Sequence, residues 1–179
     1  MVKKEESSLN LKERNISLVL DSYEDIFSSF DPRLPDSRAI SDDFLSECKR
    51  ATLDKGEDLE LRLFIPKIKR SYLEEVKIKK RLKEHFLKHH KEKEKERKKV
   101  RYSGLIWFFL GVLIMSLETF FIKYREGWII EFLIIISTPA SWFFFWEGLD
   151  KIFITSKENK IDYDFYKKMH KSEISFFEY

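Results

Sequence analysis

Three glutamates interrupt the two apolar stretches of the chain, residues 102–122 and 128–149, which a short polar turn separates. Glu118 precedes this turn, Glu131 follows it, and Glu147 lies near the end of the second stretch. Ionisable groups inside apolar segments are costly to bury, and they often bind or relay protons and cations. The sequence therefore suggests a proton or cation site on Glu118 and Glu131, within one chain or between copies. The alternative is that both carboxylates lie at a membrane surface and form no site.

Small and polar residues recur at seven-residue spacing in both apolar stretches. Gly104, Gly111 and Glu118 share one helix face in the first stretch, and Glu131 and Thr138 share one in the second. Such faces pack against another helix rather than against lipid, so we predict that the two stretches pack through them.

Pro139 is expected to kink the second stretch, because proline removes a helical hydrogen bond and crowds the preceding turn. Broken helices line substrate sites in transporters, although a single proline in a membrane helix is common. The intramembrane polar candidates are thus Glu118, Glu131, Thr138, Pro139 and Glu147.

A second set of charged residues follows the first predicted strand. It comprises Asp21, Asp25, Asp31, Arg33 and Arg38. Carboxylates at the carboxyl end of a strand form ligand sites in α/β units, and a membrane-tethered metal-dependent enzyme is one hypothesis. The spacing matches no calcium loop, and helix capping or loop ion pairs explain the same residues equally well. We interpret this loop as a contact region for a partner.

The remaining sequence predicts no cofactor and no metal ion. His85 and His89 lie four residues apart on a predicted helix, but no third ligand is indicated, so they are interpreted as a solvated face. No phosphate-binding loop, dinucleotide fingerprint or nucleophile elbow occurs, and no catalytic motif is found.

The segment before the first apolar stretch is strongly basic. Residues 67–101 contain 16 Lys and Arg against 6 Asp and Glu, a net charge of +10, whereas the whole chain carries +3. Basic residues beside a membrane span contact anionic lipid headgroups. The candidates for this contact are Lys93, Lys95, Arg97, Lys98, Lys99 and Arg101. Nucleic-acid binding is disfavoured because interleaved aromatics and a known binding motif are lacking.

Each apolar stretch has the length of a membrane span. Residues 102–122 and 128–149 are each long enough to cross a hydrocarbon core of about 30 Å as a helix, and residues 123–127 form an external turn. Lys and Arg are more frequent on both flanks than in the turn. The sequence therefore predicts a two-pass protein of the cell membrane with both termini in the cytoplasm.

The rest of the chain predicts a small cytoplasmic α/β domain in residues 15–66, after a charged segment at 1–14. Alternating apolar residues indicate strands at 15–20 and 59–65, with a helix at 41–55 between them. Ser41 is the predicted N-cap and Gly56 the stop. Two strands form a poor sheet, so a third is expected at the C-terminus, where Ile174 and Phe176 alternate with polar residues. A basic helix at 67–101 leads into the first span, and residues 150–179 return as a helix, at about 162–171, and a strand.

Several short segments together resemble a family of uncharacterised prokaryotic membrane proteins. They are the run from Asp21 to Arg33, Ser41-Asp-Asp-Phe-Leu45, Arg81-Leu-Lys-Glu-His-Phe86 and the stretch from Pro139 to Gly148. The resemblance covers most of the chain. It implies the two-pass architecture and no particular activity.

These observations favour a non-enzymatic membrane-anchored scaffold or docking protein with a cytoplasmic α/β module. The expected partners are the lipid bilayer, and either a second copy of the chain or an unknown cytoplasmic protein. The alternatives are an oligomeric channel or transporter component that uses Glu118 and Glu131, and the metal-dependent enzyme described above.

Overall fold

The computed structural model describes residues 14–34, 37–56, 58–124 and 127–179. The strands are β1 (Asn15–Val19), β2 (Glu60–Ile65) and β3 (Glu173–Glu178). The α-helices are α1 (Asp42–Thr52), α2 (Tyr72–Phe121), α3 (Trp128–Asp150) and α4 (Ser156–Lys171), and short 3-10 turns cover Tyr23–Ile26, Lys67–Lys69 and Ile122–Tyr124. The chain divides into an α/β unit, which reaches to His90 and includes Asp164–Tyr179, and a hairpin unit, Lys91–Tyr163.

The α/β unit contains a three-stranded parallel sheet in the order β1-β2-β3. The alternation that predicts β2 is realised, since Leu61, Leu63 and Ile65 are fully buried. Ile174 and Phe176 of β3 are buried beside them, which confirms the expected third strand. In chain order, helix α1 comes between β1 and β2, and the whole hairpin unit comes between β2 and β3.

The buried face of the sheet packs against apolar stripes from three helices. Helix α1 contributes Phe44 and Cys48, the first part of α2 contributes Ile78, Leu82 and Phe86, and α4 contributes Phe165 and Met169. The four-residue spacing of the α2 stripe brings its members onto one face of the helix. This core fixes both the start of α2 and the loop that precedes α1.

The hairpin unit is formed by the apolar ends of two long helices. By length and composition, the helical segments Tyr72–Phe121 and Trp128–Lys171 could each cross a membrane, and their most apolar windows are only 11% and 6% buried. The contact between them is close at three glycines. A Cβ on Gly111 would lie 2.6 Å from the Phe145 nitrogen, one on Gly148 would overlap the Phe108 backbone, and one on Gly104 would lie 2.9 Å from Ile152. Gly104 and Gly111 therefore pack as predicted.

The packing face of the second apolar helix differs from the prediction. Glu131 and Thr138 are exposed, whereas Ser141 and Gly148, also seven residues apart, are buried against α2. The true face is displaced from the predicted one by three residues, or about 60° around the helix. In a segment that is apolar on all sides, seven-residue spacing alone does not identify the face that packs.

Several boundaries also differ. Helix α1 ends at Thr52 with Leu53 as its C-cap, not at Gly56, and Ser41 is the N-cap without a side-chain capping hydrogen bond. The C-terminal helix begins at Ser156 rather than at 162, and a π-helical turn, Lys151–Thr155, joins it to α3. Neither glycine nor proline occurs between Gly148 and β3, so no residue there breaks the helix. The predicted segment 1–14, except Arg14, and Arg125 and Glu126 of the predicted turn lie outside the described residues.

Candidate functional site

The described residues of the loop between Phe27 and Ile40 contribute Phe27, Leu34 and Arg38 to one wall of a groove in the α/β unit. The two ends of the loop are joined, because Phe27 and Ile40 form an antiparallel bridge and the Ser28 N–H donates to the Ala39 carbonyl at 2.9 Å. The opposite wall is the first three turns of α2, and the groove encloses about 430 Å³. That volume lies within the range of ligand sites.

Arg81 of α2 holds the loop against the helix. Its guanidinium donates a hydrogen bond to the Arg38 carbonyl, and its Cζ lies 4.4 Å from the centre of the Phe27 ring. Lys77 and Ile78 lie one turn earlier on α2 and line the same groove. Arg81 was not a candidate in the sequence, because its role depends on a loop 43 residues away.

A buried polar network lies beside the groove. The Tyr23 hydroxyl accepts a hydrogen bond from the Ser71 N–H at 2.9 Å and donates one to Glu75 at 3.2 Å. Glu75, which is 4% exposed, also accepts two hydrogen bonds from Arg70, at 2.8 and 3.1 Å. Burial raises the pKa of Tyr23. Burial is the largest single influence on Glu75 and acts to raise its pKa, but the hydrogen bonds and charge of Arg70, the hydrogen bond from Tyr23 and the charge of Lys79 together lower the net pKa.

The structure places the predicted loop residues in two different roles. The Asp25 carboxylate accepts the Asp21 and Ser22 N–H groups at 2.7 and 2.9 Å. Asp31 accepts Arg33 at 2.6 Å and the Ala39 N–H at 2.6 Å. The hydrogen bonds from Arg33 hold the pKa of Asp31 well below its usual value. Local capping and ion pairing, the alternative recognised in the sequence, therefore account for the side chains of Asp25, Asp31 and Arg33, whereas Asp21 takes part through its backbone.

Arg38 has the other role. It lines the groove, and its Nε atom is buried without a hydrogen-bond partner in the part of the chain that the structure describes. Of the five predicted loop residues, Arg38 is therefore the one that the structure directs to the groove. Among the described residues there is no group of three or more His, Cys, Asp or Glu that could hold a metal ion.

The predicted intramembrane residues are not brought together into one site. Glu118 lines an apolar cavity of about 340 Å³ with residues of α3 that include Ile134 and Ser137, and one Glu118 carboxylate oxygen is buried there with no hydrogen-bond partner among the described residues. Thr138 donates to the Ile134 carbonyl at 2.8 Å, and Glu147 pairs with Lys151. Helix α3 continues through Pro139.

The basic residues before the first apolar stretch divide into paired and exposed groups. Lys93 pairs with Glu96 at 2.9 Å and Lys98 pairs with Glu94 at 2.7 Å. Two arginines contact the segment after α3, since Arg97 lies 4.5 Å from the Tyr163 ring centre and Arg101 donates to the Ser156 hydroxyl at 3.2 Å. Lys95 and Lys99 are exposed.

The histidine prediction is wrong in one respect. His85 and His89 do not form a solvated face; both are half-buried, their ring centres lie 4.3 Å apart, and His89 stacks on Tyr166 of α4 at 5.3 Å. His90 and His170 stack similarly, at 6.0 Å. These rings are part of the packing between α2 and α4.

Comparison with protein-family models, with curated proteins and with solved structures finds no match for this chain. The resemblance to a family of prokaryotic membrane proteins stays a prediction, and the function has to be argued from the geometry of the chain itself.

Proposed function

We propose that this chain is a non-enzymatic membrane-anchored docking protein. The hairpin unit lies in the cell membrane, and the α/β unit binds a cytoplasmic protein at its loop–helix surface, which we define as the groove together with Leu34, Tyr72 and Leu73. The observation that carries the proposal is the exposure of these three large apolar residues, at 78%, 77% and 75%, beside a groove of ligand size. Exposed large apolar residues beside a groove are typical of protein contact sites.

The outward surface of the hairpin unit supports a membrane location. Large apolar side chains such as Phe109, Leu113, Phe132 and Phe143 are more than half exposed. A helix in the core of a soluble protein would bury such residues, whereas lipid solvates them.

The strand pairing supports a double crossing. Strand β2 precedes the hairpin unit and β3 follows it, yet the two strands are hydrogen-bonded neighbours. Both ends of the hairpin must then lie on one side of the membrane. The excess of Lys and Arg on the flanks favours the cytoplasmic side. Reporters fused before Met1 and after Tyr179 should both be active in the cytoplasm; activity of either one outside the cell would contradict the topology.

Docking is tested by site-specific photo-cross-linking in intact cells. A photoreactive amino acid at Leu34 should give a discrete adduct with a second protein, and the adduct should disappear with Leu73→Asp. The matched control is the same photoreactive residue at Leu53, which is also exposed, at 61%, but is the C-cap of α1. Equal adducts from both positions, or none from Leu34, would refute the docking function.

A second candidate function is an oligomeric channel or transporter component. The buried oxygen of Glu118, which has no partner among the described residues, favours it, because a carboxylate left in this state within an apolar cavity has a high free-energy cost that a functional role would explain. In reconstituted vesicles, a cation or proton flux that Glu118→Gln abolishes would support this function, and absence of any flux would exclude it.

A further inference from the structure

We propose that the groove binds a carboxylate carried by an acidic segment of the docked protein, and that Arg38 is the residue that holds it. This inference rests on the proposed docking function and names the chemistry of the partner.

The first argument is the state of the Arg38 side chain. Its Nε atom is buried and donates no hydrogen bond within the described residues. A buried donor without an acceptor loses its hydration with nothing in return, and the loss is larger when the group is charged. The residue as a whole is half-buried and lines the groove, so a carboxylate bound there would meet a guanidinium whose planar donors match two carboxylate oxygens.

The second argument is that Arg81 cannot replace Arg38. Its guanidinium already donates to the Arg38 carbonyl and lies over the Phe27 ring. Arg81 is therefore a positioning residue, since it holds the backbone that carries Arg38 against α2. The groove has one arginine that maintains the loop and one that is available to a ligand.

The third argument is the charge of the groove. Among the described residues, Arg38, Lys77 and Arg81 line it together with Glu24 and Glu74, which gives this described lining a formal charge of +1. One carboxylate neutralises this charge. A dianionic phosphate group would leave an excess negative charge beside two glutamates, and like charges at short range are repulsive.

The fourth argument is the apolar surface around these charges. Leu34 and Ile78 line the groove, and exposed Leu73 precedes Glu74 on α2. The groove is open to solvent, and Leu34 in its lining is 78% exposed, so it suits an extended polypeptide better than an enclosed small molecule. The partner is therefore expected to present a glutamate or aspartate next to a large apolar side chain.

The experiment measures peptide binding to the full chain in detergent by fluorescence anisotropy. The probe is a peptide in which one glutamate lies between two leucines. Both of its ends are blocked, and it carries an uncharged fluorescent dye. Companion peptides carry glutamine or phosphoserine in place of the glutamate. One charge-assisted hydrogen-bonded contact should make the glutamate peptide bind about 10- to 100-fold more tightly than the glutamine peptide.

The variants identify the residue responsible. Arg38→Gln should abolish the preference for glutamate, and Arg38→Lys should reduce it, because lysine keeps the charge and loses the planar donors. The matched control is Arg50→Gln, which removes the same charge from α1 at a side chain that is 75% exposed. It should leave the preference unchanged. Protection of Cys48 from alkylation verifies that each variant is folded.

In the peptide assay, four results would overturn the carboxylate site. They are no binding of the glutamate peptide, equal binding of the glutamine peptide, tighter binding of the phosphoserine peptide, and an unchanged preference for glutamate in folded Arg38→Gln. The docking function fails separately. If the Leu34 cross-link persists in Arg38→Gln, the partner docks without a carboxylate on Arg38, and only the carboxylate proposal is refuted. If the protein prefers the glutamate peptide but gives no Leu34 cross-link, the docking function is refuted and the carboxylate site is retained.

Discussion

The hydroxyl of Tyr23 donates a hydrogen bond to the carboxylate of Glu75 at 3.2 Å, across 52 residues of sequence. Arg70 completes the network with two hydrogen bonds to Glu75, and it also lies 3.9 Å from Glu178 at the end of β3. One buried carboxylate thus links the segment after β1 to the start of α2. Both elements form walls of the groove, so this network determines the shape of the candidate site.

Glu75→Gln should destabilise the α/β unit at neutral pH by about 1–3 kcal/mol, because Arg70 would lose its charged acceptor in a buried position. The folded-state pKa of Glu75 is lowered. Its ionised form therefore stabilises the fold above its unfolded pKa, near 4.5, and this contribution is lost as the pH falls through the folded pKa. Urea unfolding in detergent at pH 7 and pH 4 should show a smaller difference between wild type and Glu75→Gln at pH 4.

The control for this prediction is Glu47→Gln on α1. Glu47 pairs with Arg50, but both side chains are at least half exposed, so the change should alter stability by no more than about 0.5 kcal/mol. If Glu75→Gln were equally mild at pH 7, the network would not stabilise the unit.

Cys48, the single cysteine, should resist alkylation in the folded protein. It is fully buried, and burial raises the pKa of its thiol to about 12. Because the thiolate is the reactive form, modification by iodoacetamide at pH 8 should be at least about 100-fold slower than in the unfolded chain. An exposed cysteine, introduced as Ser29→Cys in a Cys48→Ala background, should react rapidly. Equal rates for the two thiols would mean that α1 does not pack on the sheet as described.

Local sequence patterns predict the sheet well. Alternation places Leu61, Leu63 and Ile65 on one face of β2, and it identifies β3 at the far end of the chain. Each pattern is readable within six residues, because strand geometry sends successive side chains to opposite faces. The two long apolar helices follow from length and composition in the same way.

The groove could not be predicted by these means. It exists because Arg81 contacts a loop that is distant in sequence, and no periodicity encodes that contact. The sequence identified Arg38 only as one of five charged loop residues. Loop ion pairing was one interpretation of these residues, but no pattern indicated that Asp31 pairs with Arg33 rather than Arg38, or that the Arg38 Nε has no acceptor among the described residues.

Gly111→Leu should disrupt the hairpin unit. A Cβ at this position lies 2.6 Å from the Phe145 nitrogen and 2.9 Å from its Cα, and backbone atoms cannot move aside as a flexible side chain can. Overpacking of this kind costs about 1–3 kcal/mol or more. All four tryptophans of the chain, Trp107, Trp128, Trp142 and Trp146, are in this unit, so intrinsic fluorescence in detergent reports its melting.

Val112→Leu is the matched control, since it enlarges the adjacent residue on the outward face of α2, where Val112 is 36% exposed. Its melting temperature should stay close to that of wild type. Similar melting of Gly111→Leu and Val112→Leu would show that the two helices do not approach closely at Gly111.

Glu118→Leu should stabilise the hairpin unit and remove any function that depends on the carboxylate. One Glu118 oxygen is buried, with no partner among the described residues, in a cavity lined mainly by aliphatic residues such as Leu117 and Ile130. Replacing an unsatisfied polar group by a leucine that fits the cavity should raise the melting temperature by a few degrees, since about 1 kcal/mol corresponds to roughly 4–8 °C in a unit of this size. Thr119→Leu, an exposed change one residue further on, should have little effect.

A carboxylate kept at a cost in stability indicates selection for a function. If Glu118→Leu instead lowered the melting temperature below that of Thr119→Leu, Glu118 would be a structural residue, and the channel or transporter hypothesis would lose its only supporting observation.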